Sequence, residues 1–196
     1  MILETIQRTF RHGPRSSKRT DILHALPLRQ LEIKYPHLKW EMEKKIPEDG
    51  YGKSFTVDIA GYDTQGHPRV VCLVKMVNNN YSQNANNYAN TTCGEALRLL
   101  DSKSPPERII FLNFYPIEAP YFKNSGKLTS WQKVKPVKPN LDKILFNLTT
   151  ARKTVIIEHT VWTEYEKQKV SNKKHLGSAI TVPNELEQFN ELRRIL

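Results

Sequence analysis

Asp58 and Lys75 are the two residues of this chain whose types and surroundings point most directly to chemistry. Residues 55–60 read Phe-Thr-Val-Asp-Ile-Ala, a polar Asp-Thr-Gln-Gly-His-Pro turn follows, and residues 69–75 read Arg-Val-Val-Cys-Leu-Val-Lys. The pattern predicts a hairpin with the aspartate and the lysine on neighbouring strands. Aspartate is disfavoured inside strands and lysine is rarely buried unpaired, so each position needs a reason. A carboxylate to hold an ion and a cation beside a scissile phosphate form the minimal frame of a metal-dependent phosphodiesterase; the same two residues could equally make a structural ion pair. The position two before Lys75, where a second carboxylate would be expected on the same strand face, is Leu73.

The elements that must position these residues are legible in outline. Thr20 or Asp21 caps a helical stretch through Leu31 and Tyr35, which Pro27 should divide and Pro36 should stop. Residues 38–46 alternate apolar and charged side chains and predict a first strand; a turn at 47–53 leads to strands at 54–62 and 69–77, an antiparallel meander. Apolar and small residues at spacings of three and four from Tyr81 to Leu100 predict a helix of about five turns. The short β-branched run from Arg108 to Phe114 then predicts a strand added by a crossover connection. Helices at 140–149 and 183–196 and a strand at 153–163 complete the reading.

At 196 residues one domain is expected, written here as a basic arm (1–20) and a domain (21–196) with its core at 21–114 and an elaboration at 115–196. A net charge of +10 favours a polyanionic partner. The arm carries Arg8, Arg11, Arg15, Lys18 and Arg19 against one acid, Glu4, and is expected to order on a partner. Residues 121–139 carry Lys123, Lys127, Lys133, Lys135 and Lys138 without an acid, interleaved with Tyr121, Phe122 and Trp131. Such a loop either grips phosphates and stacks on bases or is a solvated surface whose aromatics tuck under the sheet. No run of about 18 to 20 apolar residues is present and residues 1–30 contain no secretory leader pattern, so the expected location is cytosolic, or nuclear in a eukaryote. The histidines at 12, 24, 37, 67, 159 and 175 stand at no paired spacing, so a histidine-metal or Ser-His-Asp mechanism has no sequence support.

An acid-bearing helix, a meander with aspartate on its second strand and lysine ending its third, then a helix and a returning strand together resemble the PD-(D/E)XK nuclease superfamily over about residues 21 to 114. The resemblance implies an α/β fold with a restriction endonuclease-like αβββαβ core, a mixed central sheet flanked by helices. It implies Mg²⁺ or Mn²⁺ as cofactor, with Asp58 as the strand acid, Lys75 as the lysine and Glu32 as the helical acid, although Glu41 and Glu43 on the first strand compete with Glu32. Val57 stands where the motif has proline, and Leu73 departs from the pattern. Some members take the missing acid from the helix after the lysine strand. Glu95 is that candidate, on a helical face with Asn84, Tyr88 and Thr91 or Thr92; its other reading is an ordinary helix acid paired with Arg98 or Lys103.

The expected function is therefore metal-dependent DNA endonuclease activity of the restriction, phage or mobile-element type. Asp58, Glu95 and Glu32 would hold the metal and Lys75 would balance charge. Gln83, Asn84, Lys123, Lys127, Lys133, Lys135, Arg15, Lys18 and Arg19 would contact nucleic acid. By analogy with restriction enzymes the chain would pair as a homodimer. Two further readings stand beside it: a lapsed nuclease fold that holds DNA or RNA for a partner, and an RNA-cleaving toxin or effector.

Overall fold

Alternate side chains of the central strands enter two separate apolar cores, and this builds three layers. In the computed structural model, which describes residues 1–13, 16–46, 54–136 and 140–196 apart from the side chain of residue 142, the expected turn at 47–53, Arg15 and Lys138 lie outside the described residues. Strand β3 (Pro68–Met76) sends Val70 and Cys72 to one face and Val71 and Leu73 to the other, and β4 (Arg108–Pro116) repeats the pattern with Ile110 and Leu112 against Ile109 and Phe111. Strands buried on both faces need helices on both faces. Helices α1 (Ile2–Thr9) and α2 (Ser17–Lys34) cover one side, and α3 (Tyr81–Leu100) and α4 (Leu141–Ile144) cover the other, followed by α5 (Phe146–Arg152), which buries no residue.

The chain is α/β with a mixed six-stranded sheet in the order β1-β2-β3-β4-β7-β8. Strands β1 (Lys39–Ile46), β2 (Phe55–Tyr62) and β3 form the antiparallel meander. Helix α3 then carries the chain back to lay β4 parallel to β3, and β7 (Val155–Tyr165) runs parallel to β4. The two-residue β8 (Ile180–Thr181) closes the far edge, after the short α6 (Leu176–Ala179) and before α7 (Glu185–Ile195). At the other edge Gly61 lets the Trp40 ring lie across β2, since a Cβ there would stand 2.8 Å from it.

Three expectations are revised. The start of the expected arm is α1, with Ile2 and Ile6 wholly buried and the Leu3 N–H donating to the Glu185 side chain at 2.9 Å. Ile6→Ala should therefore destabilise the protein by about 2–5 kcal/mol in urea unfolding, whereas a solvated arm would give no change. Pro27 does not divide α2, because Leu23, Pro27 and Leu31 are buried at four-residue spacing and this packing outweighs the hydrogen bond that proline removes. The expected loop at 121–139 contains a hairpin of β5 (Glu118–Phe122) and β6 (Leu128–Lys133). Its aromatics serve packing: Phe122 is buried and Trp131 lies 6.0 Å, centroid to centroid, from Tyr165.

Candidate metal centre and active site

Asp58 sits where β2 and β3 part. Their ladder runs from Tyr62↔Pro68 to Ile59↔Cys72, and one residue further on the Asp58 carboxylate accepts the Val74 N–H at 2.6 Å. A side chain has taken the place of a backbone acceptor, which keeps a strand N–H satisfied while the strands diverge. The pleat breaks at the same point. A regular strand would place Val57 and Ile59 on one face, yet Ile59 packs in the core under α1 and α2 and Val57 in the core under α3. Across the ladder, between the pairs Met42↔Ile59 and Lys44↔Val57, Glu43 has φ +51°, a left-handed conformation uncommon for glutamate. Strain of this kind persists where the surroundings enforce it and gathers at functional sites.

Helix α2 supplies the third member of this group. Beside the stripe of Leu23, Pro27 and Leu31 it buries His24, only 1% exposed, with Nε2 3.8 Å from Asp58 Oδ1 and Nδ1 3.4 Å from Glu43 Oε1. Neither contact is a hydrogen bond, and Nδ1 is buried without a partner. Ligand atoms of His24, Glu43 and Asp58 lie within 4.8 Å of one another, so the three could hold a metal ion.

On the α3 side, Leu73 packs in the core with Ala96 and Leu99. Lys75, on the same strand face, leaves that core half-buried, its Nζ 5.7 Å from the centre of the Tyr88 ring. Among the described residues no carboxylate comes within ion-pair distance of it. Helix α3 is fixed at its start by Tyr81, whose ring meets Tyr88 at 5.9 Å and Tyr115 at 5.6 Å, and at its end by Ala96, Leu99 and Leu100 in the core. Between these anchors it presents Glu95, half-buried and close enough to Lys75 and Asp58 to feel both charges. Burial raises the Glu95 pKa, Lys75 opposes the rise, Asp58 adds to it and Arg98 opposes it. Burial raises Asp58 as well, opposed by His24, the Val74 N–H and Lys75. Asp58 thus stands at a seam, with His24 and Glu43 on one side and Lys75 and Glu95 on the other.

The structure gathers Asp58, Lys75 and Glu95 but leaves out Glu32, which is exposed on the last turn of α2, eight residues and about 12 Å along the helix from His24. His24 and Glu43 are the residues that lie beside Asp58 instead, and Glu95 lies outside the three-residue group that could hold a metal. Gln83 donates to the Tyr121 hydroxyl at 2.9 Å and so ties α3 to the β5–β6 hairpin, while Asn84 is exposed one residue further along. Lys123, Lys127, Lys133 and Lys135 are exposed on or just after that hairpin, and Lys18 is exposed on α2. Arg19 is not a free cation, because its guanidinium lies over the Phe10 ring at 5.7 Å and burial lowers its pKa. A cleft of about 700 Å³ lined by Glu4, Arg8, Asp21, Arg29 and Arg193 contains none of the site residues.

No protein-family model matches the chain, and no curated protein matches it. No described helix is long and apolar enough to cross a membrane.

Proposed function

We propose that the chain is a divalent-cation-dependent phosphodiesterase acting on DNA, a variant of the PD-(D/E)XK nuclease arrangement. The observation that carries this reading is the meeting of His24, Glu43, Asp58, Lys75 and Glu95 where β2 and β3 splay. The donor set fits a cation, since two carboxylates face a buried imidazole with an unpartnered nitrogen. The order α2-β1-β2-β3-α3-β4 also accords with the αβββαβ core of that superfamily.

Asp58, Glu43 and His24 would hold the ion, which when bound polarises a phosphoryl oxygen and acidifies its water. Lys75, outside any ion pair among the described residues, places a positive charge where the phosphorane oxygens gather negative charge. Glu95 accepts the proton of the attacking water, a task its burial favours by making the carboxylate a stronger base. The exposed amide of Asn84 and the exposed hairpin lysines would contact the nucleic-acid backbone.

The test is to incubate end-labelled duplex DNA, single-stranded DNA and RNA of one sequence with the protein, with and without a divalent cation. Cation-dependent cleavage of duplex DNA is expected. Retention of DNA on a gel without cleavage would point to the lapsed module that Leu73 favours, and cleavage of RNA alone to an effector.

A further inference from the structure

We infer that His24 is a metal ligand and that it makes the centre select a first-row transition dication such as Mn²⁺ over Mg²⁺. This rests on the proposed metal centre and deepens it, because the superfamily resemblance implies carboxylate ligands, which do not discriminate strongly between these ions.

The local geometry rejects an ordinary salt bridge. A charged imidazolium held between two carboxylates would donate to each at about 2.7–2.9 Å. Here the separations are 3.8 Å to Asp58 and 3.4 Å to Glu43, and Nδ1 has no hydrogen-bond partner although the ring is 1% exposed. Ligand atoms that share an ion at about 2.1 Å stand roughly 3 to 4 Å apart. The contact made by the binding nitrogen, 3.4 Å for Nδ1 to Glu43 or 3.8 Å for Nε2 to Asp58, falls in that range, and with one nitrogen chosen the three ligand atoms lie within 4.8 Å of one another. The ring nitrogen that does not bind the ion faces the other carboxylate of the same set, Glu43 at 3.4 Å or Asp58 at 3.8 Å. The left-handed Glu43 backbone brings the third donor to the same point.

Donor chemistry then fixes the preference. Mg²⁺ favours oxygen ligands and gives up its water reluctantly, whereas imidazole nitrogen suits transition-metal ions. A site with one buried imidazole and two carboxylates therefore favours a first-row transition dication over Mg²⁺, and Mn²⁺ is the member of that series used as the probe.

The experiment titrates Mn²⁺ into the full chain, following free Mn²⁺ by its electron paramagnetic resonance signal, and then adds Mg²⁺ in competition. Mn²⁺ should bind, and Mg²⁺ should displace it only at about a hundredfold excess or more. His24→Asn should bring the two affinities to within about tenfold. Because His24 is buried and its variant could fail to fold, wild-type protein with labelled histidines provides the second readout. Of the six histidines, Mn²⁺ should bleach the His24 resonance first. Equal affinities for the two ions, or a His24 resonance that Mn²⁺ leaves sharp, would overturn the inference. Bleaching of His24 without any phosphodiester cleavage would keep the ligand and discard the proposed activity; cleavage with both ions and no bleaching would do the reverse.

Discussion

Asp58→Asn should reduce cation-dependent DNA cleavage by about a thousandfold or more, because a metal's Lewis-acid contribution is worth several kcal/mol and each 1.4 kcal/mol is a factor of ten. Its stability in urea should stay close to wild type. Asparagine retains a carbonyl oxygen that can accept the Val74 N–H, now received by the carboxylate at 2.6 Å, and removes the charge that the ion and Lys75 require. Asp58→Ala should lose the same activity but also cost about 1–3 kcal/mol, the usual penalty for leaving a buried N–H unsatisfied. A different pattern, with Asp58→Asn active or both variants equally unstable, would assign Asp58 to the strand ladder alone.

The second large effect is expected at Glu95. Glu95→Gln preserves the side chain's volume on α3 and removes its capacity to take a proton, so cleavage should fall by about 10²–10⁴. Mn²⁺ binding measured by calorimetry should be retained, since Glu95 lies outside the group formed by His24, Glu43 and Asp58. Loss of cation binding together with activity would instead make Glu95 a ligand, the role that the superfamily resemblance gives it. Neither loss would return it to an ordinary helix acid among Lys75, Asp58 and Arg98.

The contrast between what was readable in the sequence and what was not follows from the range of the interactions. The meander, the long helix after it and the returning strand all rest on local periodicity, and they appear as β1–β2–β3, α3 and β4. Asp58 and Lys75 were visible because a charged residue in an otherwise apolar strand violates a local rule. Glu95 is a candidate on its helical face in the sequence, and in the structure it lies near enough to Lys75 and Asp58 to feel both charges. His24 gave no such signal. It lies among leucines on a helix that Pro27 is expected to divide, and the tertiary packing that keeps α2 continuous sets it beside Asp58. Glu43 looked like one of several strand acids, and its left-handed backbone, which brings it to His24, has no local sequence marker comparable to glycine or asparagine. The arm expectation rests on Arg8, Arg11, Arg15, Lys18 and Arg19, of which only Arg8 lies in α1, whereas Ile2 and Ile6 are spaced four apart on the face that is buried.

The most direct measurement is nicking of supercoiled plasmid by the wild-type chain, first with a chelator and then with Mn²⁺ restored in excess, beside folded Asp58→Asn protein. No nicking is expected with the chelator, nicking on addition of Mn²⁺, and none from the variant under either condition. Plasmid that stays intact with Mn²⁺, or nicking that persists in the chelator or in Asp58→Asn, would contradict it.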